Sequence, residues 1–223
     1  IRDRELIGWG ICTFRQLKGG GKVDQGNSLD TNCDERDTLR VNTLRSSGFI
    51  PQDLMTLHLS RSLSEPIPPI QLPDGFTIRP VSGEQEVDAL VALYHDAYGS
   101  EIMKRDDVLS IMRTTSYDRE LDLVVVSPGG RLAGLCTCNI EEELSKVLPH
   151  PLGSTDPVLV HPDFQGKGIA RALIWSGWEK LKSRGIEQAE LSTSSQNSKG
   201  IAAFTKAGYR IDGRLQWFSH PVS

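Results

Sequence analysis

The sequence predicts an α/β protein built on a mixed central sheet with helices on both faces, preceded by a partial second copy of part of that architecture. Three observations predict it. Short apolar, β-branched runs bounded by Gly and Pro alternate with longer stretches whose apolar residues recur at i, i+3, i+4 and i+7. One such run, ending at Val160, leads through a glycine-rich turn into a long apolar helix pattern, "HPDFQGKGIARALIWSGWEKLKSRG" from His161 to Gly185. Finally, the order strand, two helices, three strands, helix, strand, helix, two strands calls for a sheet covered on both sides. At 223 residues the chain has room for one large domain or about two small ones.

The regular pattern begins after a Pro-rich linker over residues 63–75, where four prolines leave few helix-formers. "FTIRPV" from Phe76 reads as a strand. Val87, Leu90, Val91 and Tyr94 place an amphipathic helix over Glu84 to Tyr98, and a second, short helix covers Asp106 to Met112. "LDLVVV" is a buried strand, "SPGG" a tight turn and "RLAGLCTCNI" its hairpin partner. Ser154 to Val160 forms the third strand. In the following helix Ile169, Ala172, Leu173, Ile174, Trp175, Trp178 and Leu181 make a broad apolar face. Lys180, Lys182 and Arg184 complement the negative end of its dipole, and Gly185 suits the C′ position. "AELST" is a strand, Asn197 or Ser198 caps a last helix ending at Gly208, and "YRI" and "RLQWFSH" close the chain as two strands.

Composition narrows the function classes. Hydrophobic residues make up 38% and charged ones 24%, as in ordinary globular proteins, and the net charge of −4 leaves no dense basic stripe for nucleic acid. No apolar run is long enough to span a bilayer, and no basic and apolar leader pattern opens the sequence, so no membrane partner and a cytoplasmic location are expected. The four cysteines contain no C-x-x-C pair. Cys136 and Cys138 fall on one face of a strand as buried, reduced thiols, and no metal site is expected.

The residues before the linker echo those after it. "DTLRVNTLRSSGFIPQDLMTLHL" from Asp37 matches "NSKGIAAFTKAGYRIDGRLQWFS" from Asn197, with Gly48 over Gly208 and Phe49 over Tyr209. Upstream, "ELIGWGICTF" from Glu5 matches "RLAGLCTCNI" from Arg131 at a different offset, so a stretch between the two matches is absent from the front copy. Duplication predicts three parts: a partial unit over 1–62, the linker over 63–75 and a full domain over 76–223. Chance likeness of two generic hairpins is the alternative.

A strand that feeds a glycine turn and then a helix N-terminus is an anion site. Unpaired helix N–H groups point outward, the dipole favours negative charge, and glycines let oxygens reach the backbone. Gly166, Lys167 and Gly168 occupy that turn, and Lys167 adds a cation. The spacing is not that of a Walker loop, and a dinucleotide fingerprint fails at Arg171.

Around the turn the sequence resembles the GNAT acyltransferase superfamily. Val158, Val160 and Pro162 match its V-x-V-x-P strand end, and Gln165, Gly166, Lys167, Gly168, Ile169 and Ala170 match its acyl-CoA loop. Asn197, Gly200, Phe204, Gly208 and Tyr209 match its later N-x-x-[A/G]-x-x-x-Y-x-x-x-G-F pattern, except that Phe204 stands where the family carries tyrosine. The resemblance covers Phe76 to the C-terminus, and the front copy resembles the tail of another such unit, as in tandem GNAT proteins.

The resemblance implies a splayed sheet and an enzyme that moves an acetyl group from acetyl-CoA to the amine of a small molecule or peptide. The loop would hold the pyrophosphate. Val158, Leu159 and Val160 would lie along the pantetheine arm, with Asn197 and Phe204 also at the cofactor, and the Val160 N–H would serve as oxyanion donor. Asp156, on the strand leading to the loop, is the candidate general base. Glu141, Glu142 and Glu143 form an acidic turn upstream, and His161 adjoins the loop; solvated carboxylates and a backbone-satisfied histidine are the competing readings. No counterpart of the loop exists in the front copy, which implies a structural or substrate-shaping role. A homodimer stays open. The competing function is a non-catalytic acyl-CoA-binding module that keeps the fold.

Overall fold

The front segment runs helix, strand, helix, strand: α1 (Arg2–Gly19), β1 (Leu29–Asp34), α2 (Thr38–Ser46) and β2 (Ile50–Ser62). The computed structural model describes residues 2–20, 28–99 and 103–221. Most of the stretch from Leu17 to Gly26, where the front copy was expected to be cut short, lies outside them. After the Pro-rich segment come β3 (Thr77–Pro80), α3 (Val87–Tyr98), α4 (Arg105–Met112), β4 (Asp122–Val126), β5 (Leu132–Ile140), the single-turn α5 (Glu142–Ser145), β6 (Leu152–Val160), α6 (Ile169–Ser183), β7 (Gln188–Ser194), α7 (Ser198–Ala207) and β8 (Arg210–His220). Two compact units result. The larger is Ser60–Leu191 with Ala202–Arg210, and the smaller is Ile1–Leu59 with Ser192–Ile201 and Ile211–Ser223. The division therefore does not follow the Pro-rich segment, because the last strand belongs with the front residues.

In the larger unit the strand order is β7-β6-β5-β4-β3. β3 to β6 are antiparallel neighbours, whereas β6 and β7 run parallel, so the sheet is mixed. Strand alternation splits β5 between two helical layers. Leu135 packs in a core with Val87, Leu90 and Leu93 of α3 and Val108 of α4. Gly134, Cys136 and Cys138 face α6 instead. A Cβ on Gly134 would stand 2.9 Å from Leu173, and one on Gly177 would stand 2.8 Å from Cys138 Sγ. Helices thus cover both faces, as the sequence predicts.

In α6 the residues Ile169, Ala172, Leu173, Ile174, Trp178 and Leu181 are buried, as read from the sequence, whereas Trp175 of the same predicted face is only half-buried and donates its Nε1–H to Ala207 O (2.9 Å). The α6 ring of Trp178 donates its Nε1–H to Tyr209 Oη (3.0 Å), and that hydroxyl also pairs with Thr155 Oγ1 of β6 (2.6 Å). The network satisfies every polar atom it buries.

The smaller unit has strand order β1-β8-β2-β7. Its core is Cys33, Leu44, Phe49 and Phe218, with Ile7 and Ile11 of α1 against it. Two expectations are corrected here. "ELIGWGICTF" lies inside α1, whereas its supposed counterpart "RLAGLCTCNI" is strand β5. Ile7 and Ile11 are four apart, a helical spacing that reaches the core from one face, so that match fails. The other correction concerns the end of the chain, where one strand, β8, replaces two. Gly213 lies within that strand: a Cβ there would stand 3.0 Å from His58 Cβ, so the glycine leaves room for the His58 side chain.

The first echo falls on like elements. α2 and α7 each end at a left-handed glycine, Gly48 (φ 89°) and Gly208 (φ 120°), followed by the buried rings of Phe49 and Tyr209. Among the described residues no helix is long and apolar enough to cross a membrane.

Candidate active site

The glycine turn does what its sequence predicts. Gly166 and Gly168 take φ of 76° and 81°, conformations that side chains rarely adopt. Gly168 is the N-cap of α6 and no side chain caps the helix there. The first helical bond of this end runs from Ala172 N–H to Gly168 O (3.0 Å), so the amides before it are the donors that every α-helix leaves unpaired. A Cβ on Gly166 would meet nothing within 4 Å, and one on Gly168 only Arg171 Nη2 at 3.7 Å. The approach to those amides is open. Lys167 is exposed, with its Nζ 5.2 Å from the centre of the Phe164 ring.

Immediately upstream, β6 leaves one edge unpaired. His161 donates its N–H to Ala133 O of β5 at 3.0 Å. Amides alternate along a strand, so Leu159 also faces β5, while Val158 and Val160 turn their N–H groups to the other edge. On that edge the parallel ladder pairs Leu152 with Gln188, Gly153 with Ala189 and Ser154 with Glu190, and goes no further among the described residues. Gln165 Nε2 reaches back to Val160 O at 3.3 Å, tying loop to strand. Leu159 and Ile169 put their side chains into the core, so any ligand contact they make is through backbone.

On the opposite side of β5 and β6 lies a cavity of about 550 Å³ under α3 and α4. The register of β6 against β5 shifts between Val158 and Thr155, a bulge at Asp156 and Pro157 opposite Thr137. Bulges re-aim side chains, and both Asp156 and Pro157 line this cavity. Asp156 is reached by solvent at the rim, yet the surrounding walls strip enough water to push its carboxyl above the usual carboxylate range.

A second carboxylate, Asp122 at the head of β4, is buried in the same cavity. Antiparallel register sets it opposite Thr137, whose Oγ1 donates to Oδ1 (2.8 Å), and Tyr117 Oη donates to Oδ2 (2.9 Å). Burial pushes its carboxyl up, and the two hydroxyl donors oppose that rise. Tyr94 completes the polar wall. Its phenol is pushed up by burial first and then by the charge of Asp122, with Asp156 adding to the effect.

The structure therefore brings Asp156, Val158, Leu159, Val160 and the loop from Gln165 to Ala170 onto one continuous strand, turn and helix end. Asn197 belongs to the smaller unit. Its side chain caps α7 by accepting from Gly200 N–H (3.0 Å) and donates to Thr193 Oγ1 (3.0 Å). Phe204 is half-buried on α7 and brings no hydroxyl. His161 is held by structure: Nδ1 accepts from Asp163 N–H (3.1 Å), and Nε2 lies 3.1 Å from Asp96 Oδ2 and 2.7 Å from Arg131 Nη2. Of the acidic turn, Glu141 accepts from Ser154 Oγ and Glu143 pairs with Lys146; neither lines the cavity.

Sequence reading missed Asp122 and Thr137 altogether and took Tyr94 for a helix-face residue only. One signal was present: a lone aspartate opening the otherwise apolar run "DLVVV". Among the described residues no group of three or more His, Cys, Asp or Glu side chains is arranged to hold a metal ion.

Comparison with known proteins matches the acetyltransferase (GNAT) family model to residues 87–209. A mycothiol acetyltransferase of Pseudarthrobacter chlorophenolicus is 26% identical over 170 residues, covering 73% of this chain and 51% of that protein. One from Paenarthrobacter aurescens is 29% identical over 170 residues with the same coverage. The chain spans about half the length of these curated relatives. Among solved structures, a GCN5-related N-acetyltransferase from Sphaerobacter thermophilus superposes with a TM-score of 0.75 at 20% identity, over 91% of this chain and 63% of that one. A tandem GNAT protein from the clavulanic acid biosynthesis pathway gives 0.71 at 14% identity, over 94% and 67%. At such identities the likeness establishes the fold alone.

Proposed function

This chain belongs to the GNAT acetyltransferase family, and we propose that it transfers an acetyl group from acetyl-CoA to the amine of a small molecule or peptide. The observation that carries the reading is the unpaired edge of β6 running directly into an uncapped, glycine-opened helix end. The α6 amides, with Lys167 beside them, suit a pyrophosphate. The outward N–H groups of Val158 and Val160 suit the amide-bearing arm of the carrier. Bound acetyl-CoA supplies an activated acyl group. The chain's part is to hold that group beside the amine and to meet the charge that builds on its carbonyl oxygen with the Val160 N–H. Asp156, raised by its surroundings and at the cavity rim, suits removal of the amine's proton. Asn197 and Phe204 remain candidate cofactor contacts, Asn197 through whatever its cap leaves free. The curated relatives, by their name, support a small-molecule acceptor.

The front segment is read as a partial second copy. Its order, helix–strand–helix–strand, repeats that of α6–β7–α7–β8, and the matching left-handed glycines Gly48 and Gly208 support this.

Phe204 favours one competing reading, a module that binds acyl-CoA without transferring the group. Calorimetric titration of acetyl-CoA, followed by a free-thiol release assay on a panel of amines, separates the two. Binding with amine-dependent thiol release is expected. Binding without release on any amine would favour the module, and absence of binding would remove both readings.

A further inference from the structure

The cavity under α3 and α4 is polar on one side and apolar on the other, and this asymmetry describes its ligand. The sheet side presents Asp122, Asp156, Thr137 and Asn139. The helix side presents Leu90, Met103, Val108, Ile111 and Met112, beside Tyr94 and Tyr98, whose rings stack at 6.3 Å with planes 15° apart. Among the described residues no Lys, Arg or His lines the cavity. Two carboxylates therefore face a space to which the described residues contribute no cation.

Asp122 is held in place by Thr137 and Tyr117, two neutral donors that orient it without neutralising it. Asp156 has no side-chain hydrogen bond among the described residues. A ligand ammonium would supply the missing charge at Asp122, since a buried carboxylate is stable when paired, and would meet Asp156 at the rim. Beyond the charged end, a polyhydroxylated body would leave hydroxyls unpaired against methionine and aliphatic side chains. An aromatic body, by contrast, meets a tyrosine stack and thioether sulfurs, both favourable contacts for a ring.

We propose that the amine acceptor is an arylalkylamine, with its ammonium between Asp122 and Asp156 and its ring against Tyr94, Tyr98, Met103 and Met112. The inference rests on the acetyl-transfer reading for what happens to the amine, but not for its binding. Asp122 is then the specificity charge and Asp156 the group that takes the proton. One ammonium proton passes to Asp156 and frees the nitrogen lone pair. The amine then attacks the thioester carbonyl, the new C–N bond forms, the C–S bond breaks with its electron pair leaving on the carrier's sulfur, and the second N–H proton goes to that thiolate.

2-Phenylethylamine is the probe. Titrated alone into the protein by calorimetry, it should bind, and with acetyl-CoA its kcat/KM should exceed those of ethylamine and glucosamine by at least about tenfold. Asp122→Asn should raise its KM by about tenfold or more with a smaller effect on kcat. Ile111→Ser changes a side chain that is 48% exposed, so the fold is retained even if Asp122→Asn unfolds. It should shrink the preference for 2-phenylethylamine over ethylamine several-fold. Binding of 2-phenylethylamine without any binding of acetyl-CoA would sink the transfer reading and keep the cavity assignment. Thiol release with glucosamine or a peptide amine, while 2-phenylethylamine neither binds nor reacts, would overturn the assignment and keep the transfer reading.

Discussion

Replacing Gly168 by valine isolates the loop's role, because the two consequences of the change can be computed separately. The site holds φ at 81°, and a Cβ built there has only Arg171 Nη2 within 4 Å, at 3.7 Å. The stability cost is therefore backbone strain rather than collision, about 1–2 kcal/mol for a side chain in the left-handed region. For a chain of this size that lowers Tm by about 2–8 °C, and a protein with an ordinary reserve stays folded. Binding suffers more. The branched side chain stands in the open space over the helix amides, where an anion must approach. Losing two hydrogen bonds to a charged group costs about 3–6 kcal/mol, which weakens acetyl-CoA by about a hundredfold to ten-thousandfold. Gly185→Val is the control. It sits at the other end of α6 with φ of 79° and nothing within 4 Å of its Cβ, so it carries the same strain with no effect on binding. Scanning calorimetry measures the strain and titration calorimetry the affinity. A folded Gly168→Val protein that keeps acetyl-CoA affinity within about threefold of wild type would refute the loop assignment.

Four further outcomes are expected. The surroundings of Asp156 raise its carboxyl, so a rate that needs it deprotonated should climb as pH rises through that elevated value, and Asp156→Asn should abolish this limb. The same shift means the folded state holds the proton more tightly than the unfolded chain. The stability it contributes is full below about pH 3.9 and is lost as pH rises through the folded value. Asp156→Asn should then be no less stable than wild type at neutral pH, and a clear loss of Tm there would contradict the sign. Phe204→Tyr should raise turnover less than about tenfold, since a thiol of pKa about 8.5 leaves as thiolate at pH 7.5 for about 1.4 kcal/mol; a gain of a hundredfold would mean that protonation of sulfur limits the rate. Tyr209→Phe should leave Trp178 Nε1 and Thr155 Oγ1 without their shared partner, costing about 2–4 kcal/mol. A Tm within about 2 °C of wild type would show the network to be dispensable.

What could be read from the residues alone was whatever is written locally. Helix and strand periods repeat every few residues, so the order of elements from β3 to α7, the single-turn α5 apart, and most of the buried face of α6 follow from neighbours in the chain. The loop was legible for the same reason: Gly166 and Gly168 need left-handed backbone whatever packs around them. The single last strand was not: the break between "YRI" and "RLQWFSH" falls at Gly213, and only the packing of His58, far away in sequence, against that glycine shows it to lie within one strand. Nor was the helical nature of "ELIGWGICTF", whose Ile7 and Ile11 declare their face only against Phe49 and Phe218. The acidic cavity is the fullest case. Asp122, Thr137 and Asp156 sit on three strands, and only antiparallel register and the bulge at Asp156 turn them toward one space under Tyr94. Register is set by contacts between distant segments, and no local period encodes it.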